Sequence, residues 1–405
     1  MIRAINIRLF PTEQQKKLMW KHIGCMRFIY NWGLGKQIDH FKETGKKVST
    51  TNLGKEMTKL KNTEGYEWLY EASNATLKES LRDLDKAYKR FFDTQKKGEK
   101  YTKAKIQKSI RTGKPLGVYD LNGHPKFKSK KKAEFKFYSR YDKVYFKDGL
   151  VNLEKIGKIK YRCKYDIDLT IIQKFSNPRV NFNGRAWVLS VGIDQEQPKI
   201  KLEDKVLGID LGIKKLAIVN IDGLDINNIN KTRVVKNLEK KLKRLQRQCS
   251  RKYEMNREGR SYQKTKNIAK IELKIKKLYN KLRNIRLNHI HQATNKMVKN
   301  KPRMVVMEDL KVCNMMKNKH LAKAIQGQGF YTFINQMKYK CEWHGIEFIQ
   351  APTFYPSSKT CSSCGNIKKD LKLSDRTYKC ECGFICDRDK NATYNLVNYG
   401  LEVSA

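Results

Sequence analysis

Two apolar runs in this chain end abruptly in an acid. Val206-Leu207-Gly208-Ile209 leads into Asp210, and Met304-Val305-Val306-Met307 leads into Glu308. A short continuous apolar run reads as a strand buried on both faces. A carboxylate there is costly unless it is paired or metal-bound, so any fold must bring these acids to a partner. A third candidate is Asp389, in Cys386-Asp387-Arg388-Asp389-Lys390-Asn391-Ala392, where Asp387 competes for the same role. Taken singly, each reads as a solvated edge or loop acid. Taken together they suit metal-dependent phosphodiester hydrolysis, in which two Mg²⁺ ions about 4 Å apart clamp the attacking and leaving oxygens and clustered carboxylates hold the ions.

Charge narrows the partner. The 405 residues carry 87 Lys and Arg against 40 Asp and Glu, a formal net charge of +47 spread from end to end. Left alone such a body repels itself, so a polyanion is the natural partner. A hydrophobic fraction of 39% supports real cores, and the length suggests about two or three domains. No run of about 18 apolar residues argues for a spanning helix. The N-terminal MIRAINIRLFP lacks the apolar stretch of a secretory signal. Ten cysteines without an export signal point to a reducing, cytoplasmic setting, where close pairs usually mean metal. The seven histidines show no metal spacing, and neither a P-loop nor a G-x-G-x-x-G fingerprint is present, so ATP-driven and redox chemistry have no support.

Patterning divides the chain. Ile5, Ile7 and Leu9 alternate with Asn6 and Arg8 as in a half-buried strand, and Thr12 with Gln15 forms a capping box that opens a helix. Helix dominates to about residue 112. Leu77, Leu81, Leu84, Tyr88 and Phe91 make one apolar stripe there, with Lys78 and Arg82 among the polar positions. Residues 116 to 200 are β-rich, with Asn183-Gly184 as a hairpin signal, and this module is expected to pair with the N-terminal strand. KVLGIDLG and KKLAIVN read as a buried hairpin. Residues 236 to 299 read as two basic helices hinged around Ser250 to Tyr262, either a solvated prong or an arm lying along nucleic acid.

Near the C-terminus Cys361-x-x-Cys364 is followed, sixteen residues on, by Cys380-x-Cys382. Two close pairs across a hairpin-sized insert fit a tetrahedral zinc ribbon, structural in role because four thiolates leave no open coordination position. The second pair is tighter than usual, and Cys386 is a possible substitute ligand. Cys25, Cys163, Cys249, Cys313 and Cys341 are scattered and read as packing residues.

GIDLGIKKLAIV, VVMEDL, FYPSSKTCSSCG and YKCECGFICDRDKNATYNL together resemble the TnpB family of insertion-sequence proteins, relatives of the compact type V CRISPR effectors. INIRLFPTEQQ, CMRFIYNW, SLRDLDKAYKRFF and GHPKFKSKK extend the resemblance over nearly the whole chain. It implies an α/β multidomain chain: a wedge-like β-barrel from residues 1–14 and 115–200, a helical recognition insertion at 15–114, a RuvC-type, RNase H-like nuclease domain from 201–353 and 387–405, and a zinc ribbon at 354–386. It implies an RNA-guided DNA endonuclease that takes its guide from its own element's end, recognises a short target-adjacent motif and cleaves double-stranded target DNA. Asp210, Glu308 and Asp389 would be the catalytic, Mg²⁺-binding acids, with Asp387 the fallback. Cys361, Cys364, Cys380 and Cys382 would bind a structural Zn²⁺. Lys126 and Lys128, flanking Phe127, could contact RNA backbone, and Lys78 and Arg82 the DNA beside the target. A compact CRISPR effector would carry nearly the same residues. A cleavage-dead guided repressor would lack an acid, whereas a strand-transferring transposase would need no RNA, and an inactive zinc-ribbon RNA binder would leave the buried acids unexplained.

Overall fold

The computed structural model describes residues 2–98, 100–130, 135–165, 167–196, 200–259, 261–372 and 375–404. The chain divides into two compact units, Met1–Glu196 and Gln197–Ala405. No helix among the described residues is long and apolar enough to cross a membrane.

In the first unit β1 (Ile2–Phe10) leads into α1 (Glu13–Thr44), α2 (Thr50–Lys61), α3 (Asn74–Lys96) and α4 (Lys103–Thr112). Then follow β2 (Lys136–Tyr138), β3 (Tyr145–Lys147), β4 (Leu150–Leu153), β5 (Gly157–Arg162), β6 (Ser176–Phe182) and β7 (Trp187–Asp194). These strands form one seven-stranded sheet in the order β2-β6-β7-β1-β5-β4-β3, antiparallel throughout. The N-terminal strand does pair with the β-rich segment, from Ile2 opposite Asp194 to Leu9 opposite Trp187. Ile5, Ile7 and Leu9 face a core that also receives Met19, Ile23 and Met26 of α1. The capping box forms: the Gln15 amide N–H donates to Thr12 Oγ1 at 3.3 Å, and the Thr12 N–H donates to Gln15 Oε1 at 3.0 Å. All five members of the α3 stripe are buried. Below them Arg179 of β6 donates to Glu79 at 2.8 Å and to Asp83 at 3.0 Å, tying α3 to the sheet through a largely desolvated ion-pair cluster.

The second unit contains β8 (Glu203–Leu211), β9 (Lys215–Val219), β10 (Ile226–Asn227), α5 (Arg233–Met255), β11 (Arg257–Glu258), β12 (Ser261–Tyr262), α6 (Lys266–Lys299) and β13 (Pro302–Glu308). It continues with α7 (Val312–Met315), α8 (Ala322–Gln328), α9 (Phe330–His344), β14 (Glu347–Ala351), β15 (Thr377–Lys379), β16 (Ile385–Asp387) and α10 (Arg388–Ser404). Five strands form a sheet ordered β10-β9-β8-β13-β14. β8 and β9 are the antiparallel hairpin expected from the sequence, while β13 runs parallel to both β8 and β14. The helical hairpin turns within the expected hinge, Ser250 to Tyr262. α5 stays helical through Met255, and the reversal is a two-strand tip of β11 and β12, because Leu245, Cys249 and Tyr253 keep extending the apolar seam against Ile268, Ile271 and Ile275.

Both faces of the central strands are covered, which explains their unbroken apolar runs. Leu207, Ile209, Val305 and Met307 pack with Ile290 and Met297 of α6 and Phe333 and Met337 of α9. Met304 and Val306 face the other way, against Leu396 of α10. On that face the backbones nearly touch. A Cβ at Gly208 would stand 2.1 Å from the Thr393 carbonyl oxygen, and one at Gly400 would stand 2.5 Å from Val306 Cγ2. Gly208→Ala is therefore expected to lower stability by about 2–3 kcal/mol through overpacking against backbone that cannot yield. Gly54→Ala, in open space on α2, is expected to raise it by about 0.5–1 kcal/mol. Chemical-denaturation midpoints of the two variants check both signs.

Candidate active site and metal centre

Side chains alternate along a strand, so Val206, Gly208 and Asp210 share the α10 face of β8, as Met304, Val306 and Glu308 share that face of β13. Parallel pairing sets Val306 beside Gly208 and Met307 beside Ile209, which puts Asp210 and Glu308 at the same end of neighbouring strands. Asp389 lies in the first turn of α10, the helix packed on that face. The three acids consequently feel one another: the Asp210 carboxyl is pushed up to about 7, first by burial, then by repulsion from Glu308 and Asp389, with the Arg388 guanidinium opposing. Glu308 is also raised by burial, against a hydrogen bond donated by the Ser357 hydroxyl. Asp389 is held by Arg388 at 3.4 Å and Arg376 at 3.8 Å.

Asp387 has a different occupation. Its Oδ1 accepts the backbone N–H groups of Asp389 at 2.9 Å and Lys390 at 3.1 Å, capping the N-terminus of α10. The cap spends this carboxylate on the helix and leaves Asp389 as the acid coupled to Asp210.

The four cysteines converge. Cys361 and Cys382 Sγ stand 3.7 Å apart and Cys364 and Cys380 Sγ 3.6 Å apart, and all four sulfurs lie within 4.8 Å of one another. Among the described residues this is the one group of three or more such donors drawn that close, so the carboxylates are more widely spread, and Cys386 stands outside the group. A tetrahedron with metal–sulfur bonds of about 2.3 Å has sulfur–sulfur edges of about 3.8 Å, so the thiols fit a tetrahedral ion. The β15–β16 hairpin carries the second pair, and fully buried Tyr378 locks it by donating to the Lys359 carbonyl at 3.0 Å.

The basic candidates separate. Lys78 and Arg82 line one groove of about 600 Å³ between α2 and α3, together with Lys55, Lys86, Thr51 and Thr58. Lys126 is exposed, whereas the Lys128 ammonium sits 3.6 Å above the Tyr30 ring and its backbone is clasped by Asn31. Lys131 and Lys132, which end that basic run, lie outside the described residues.

Three stretches match known family models: residues 1–46 a "Helix-turn-helix domain", residues 189–319 a "Probable transposase", and residues 330–396 a "Cas12f1-like, TNB domain". The chain is 28% identical over 421 positions to "Putative RNA-guided DNA endonuclease InsQ" of Escherichia coli (strain K12), covering 100% of this chain and 94% of the relative. It is 26% identical over 404 residues to a "Putative RNA-guided DNA endonuclease" of Streptomyces pristinaespiralis, covering 100% and 90%. Over nearly its whole length the chain is similar to proteins of the TnpB kind. A Cas12f1 chain, solved in complex with sgRNA and target DNA, shares the fold at a TM-score of 0.58 and 13% identity, over 98% of this chain and 99% of that one. In this chain the first matched stretch forms β1 and the single helix α1. The second carries Asp210 and Glu308, and the third carries the four cysteines and Asp389.

Sequence reasoning missed the residues that position the acids. Ser357 holds Glu308. Asn391 and Asn395, both buried, reach from α10 to the Thr360 carbonyl at 2.7 and 2.6 Å, and Asn395 also reaches the Ser357 carbonyl at 2.7 Å. A serine in a loop carries no signal of its own; the asparagines, four apart at the start of an apolar helix, did. Because the folded Asp210 binds its proton more tightly than the unfolded one, its ionisation weakens the metal-free protein as pH rises from about 4 to 7. Asp210→Asn is expected to raise the melting temperature in the presence of chelator, most above pH 7 and progressively less towards pH 4. Parallel thermal melts across that range check the sign.

Proposed function

We propose that this chain is an RNA-guided DNA endonuclease of a transposable element, cleaving target DNA by metal-dependent phosphodiester hydrolysis. The observation that carries the reading is the convergence of Asp210, Glu308 and Asp389 from three distant segments, with Asp210 pushed up to about 7 by burial and then by repulsion from the other two acids. Such a cluster suits divalent cations, which reverse that repulsion. Asp210, Glu308 and Asp389 would hold Mg²⁺, which when bound supplies the positive charge that steadies the oxygens of the reacting phosphodiester. Ser357 fixes the Glu308 rotamer, and Arg388 and Arg376 restrain Asp389. The four cysteines would hold Zn²⁺ in a structural role, since all four positions are filled by thiolates.

On this reading residues 201–353 and 387–405 are a RuvC-like nuclease domain and 354–386 its zinc ribbon. Residues 1–14 and 115–200 serve as the wedge, and 15–114 as the recognition insertion. The groove holding Lys78 and Arg82 is offered to DNA beside the target, and Lys126 to guide backbone. Much of the +47 charge would neutralise the guide and its heteroduplex through backbone contacts.

Sequencing the RNA that copurifies with the protein expressed alongside its native flanking DNA tests guidance. One structured RNA ending beyond the element's edge is expected; heterogeneous cellular RNA alone would overturn the reading. Asp210→Ala is expected to abolish guided cleavage while leaving target binding intact, and Ser357→Ala to slow cleavage about 10- to 100-fold, as loss of an outer-shell ligand partner does. Elemental analysis should find zinc in the wild type and in Cys386→Ser but not in Cys382→Ser.

A further inference from the structure

The turn that follows β14 presents an aromatic ring to which the acid cluster gives no role. Phe354 is 95% exposed, the most exposed large apolar side chain among the described residues. Single exposed aromatics are ordinary on protein surfaces. This one is unusual in its mounting. Pro352 to Tyr355 form a tight turn, closed by the Tyr355 N–H donating to the Pro352 carbonyl at 2.9 Å. Before the turn, Ala351 pairs with Glu308 and its carbonyl accepts the Asp309 N–H at 3.0 Å. Thr353 Oγ1 donates to Asp309 at 3.3 Å. After it, the Tyr355 ring packs 4.9 Å from that of Tyr399 and its hydroxyl donates to the Asn395 carbonyl at 3.2 Å. Two residues on, buried Ser357 grips Glu308.

Both flanks are thus fixed to the elements that hold the acids, and the ring between them stands in solvent. Burying a Phe side chain is worth roughly 1.5–3 kcal/mol, yet this turn forgoes it three residues after Ala351, the strand partner of Glu308. A strand whose phosphodiester lies at the three carboxylates carries flat nucleobases beside that phosphate. In a duplex those faces are stacked and hidden; in a single strand they are open.

We propose that Phe354 is a stacking platform for an unpaired nucleobase of the single strand entering the acid cluster, and that it sets which phosphodiester is cut. Resting on the nuclease reading above, the inference names the substrate form as single-stranded DNA and adds a substrate-positioning residue. Base–aromatic stacking contributes about 1–3 kcal/mol per base, which at 1.4 kcal/mol per tenfold corresponds to roughly a 5- to 150-fold effect.

The test uses full-length, guide-loaded protein and the variants Phe354→Ala, Phe354→Leu and Phe354→Trp. Phe354→Ala should retain its melting temperature and target binding, slow single-turnover cleavage within that range, and scatter the cut over neighbouring phosphodiesters. Phe354→Trp should restore rate and position, and Phe354→Leu, apolar without a π-face, should not. In an Asp210→Ala background, 2-aminopurine beside the cut phosphodiester should be quenched by Phe354 and brighter with Phe354→Ala. Wild-type rate, cut position and emission in Phe354→Ala would overturn the stacking proposal and leave the nuclease reading standing. If the wild type itself does not cut, the nuclease reading fails. Stacking is then decided on free single-stranded DNA carrying 2-aminopurine, where equal emission with wild type and Phe354→Ala sinks it.

Discussion

The close approach of α10 to β8 and β13 is the contact on which the second unit's chemistry depends. Gly208 and Gly400 remove the only atoms that would hold the helix off the sheet, so the Thr393 carbonyl settles where a Cβ would be. That seat delivers Asp389 to the strand ends carrying Asp210 and Glu308. It also brings Asn391 and Asn395 within reach of residues 357 to 362, where the Ser362 N–H is accepted by Asn391 at 3.1 Å. One packing contact therefore sets the third acid, the loop that orients the second acid, and the first strand of chain leading into the cysteine cluster.

Within a body of charge +47, three acids are nonetheless pressed together. Surface lysines do little to relieve them, because exposed charges are screened by water while the buried carboxylates interact across a drier medium. Arg388 and a hydrogen bond from the Leu211 backbone act to lower Asp210. Arg82 and Lys86 of the groove between α2 and α3 each stand 3.4 Å from Glu79, which also pairs with the enclosed Arg179 that holds α3 on the sheet.

The cysteine hairpin and the acid loop are neighbours in sequence as well as in space. Ser357 stands four residues before Cys361, and both are buried. Four thiols drawn this close offer so small a hairpin a cross-link in place of the hydrophobic core that its length cannot supply. Tyr378 is a large side chain buried within it, while the acid side of the loop is anchored by the asparagines of α10.

Much of this was legible in linear order. Apolar runs ending in Asp210 and Glu308, the Thr12 capping box, the α3 stripe and the cysteine spacing each follow from local chemistry: strand period, helix period, cap and tetrahedral thiolate geometry act over a few residues. The choice between Asp387 and Asp389 was not legible, because both precede the same helix and only the helix start reveals which one spends its oxygens on backbone N–H groups. The seat of Lys128 over the Tyr30 ring was not legible either, since that contact is made across nearly a hundred residues. Ser357 and Phe354 carried no signal, since a hydroxyl or a ring in a loop means nothing until a neighbouring strand fixes where it points. The sequence by itself determined which residues are strand-buried acids, which thiols come in pairs, and that the surface demands a polyanion. Tertiary structure alone decided which acids share a face and what holds them, because parallel pairing and a helix seated on two glycines join segments that no local period connects.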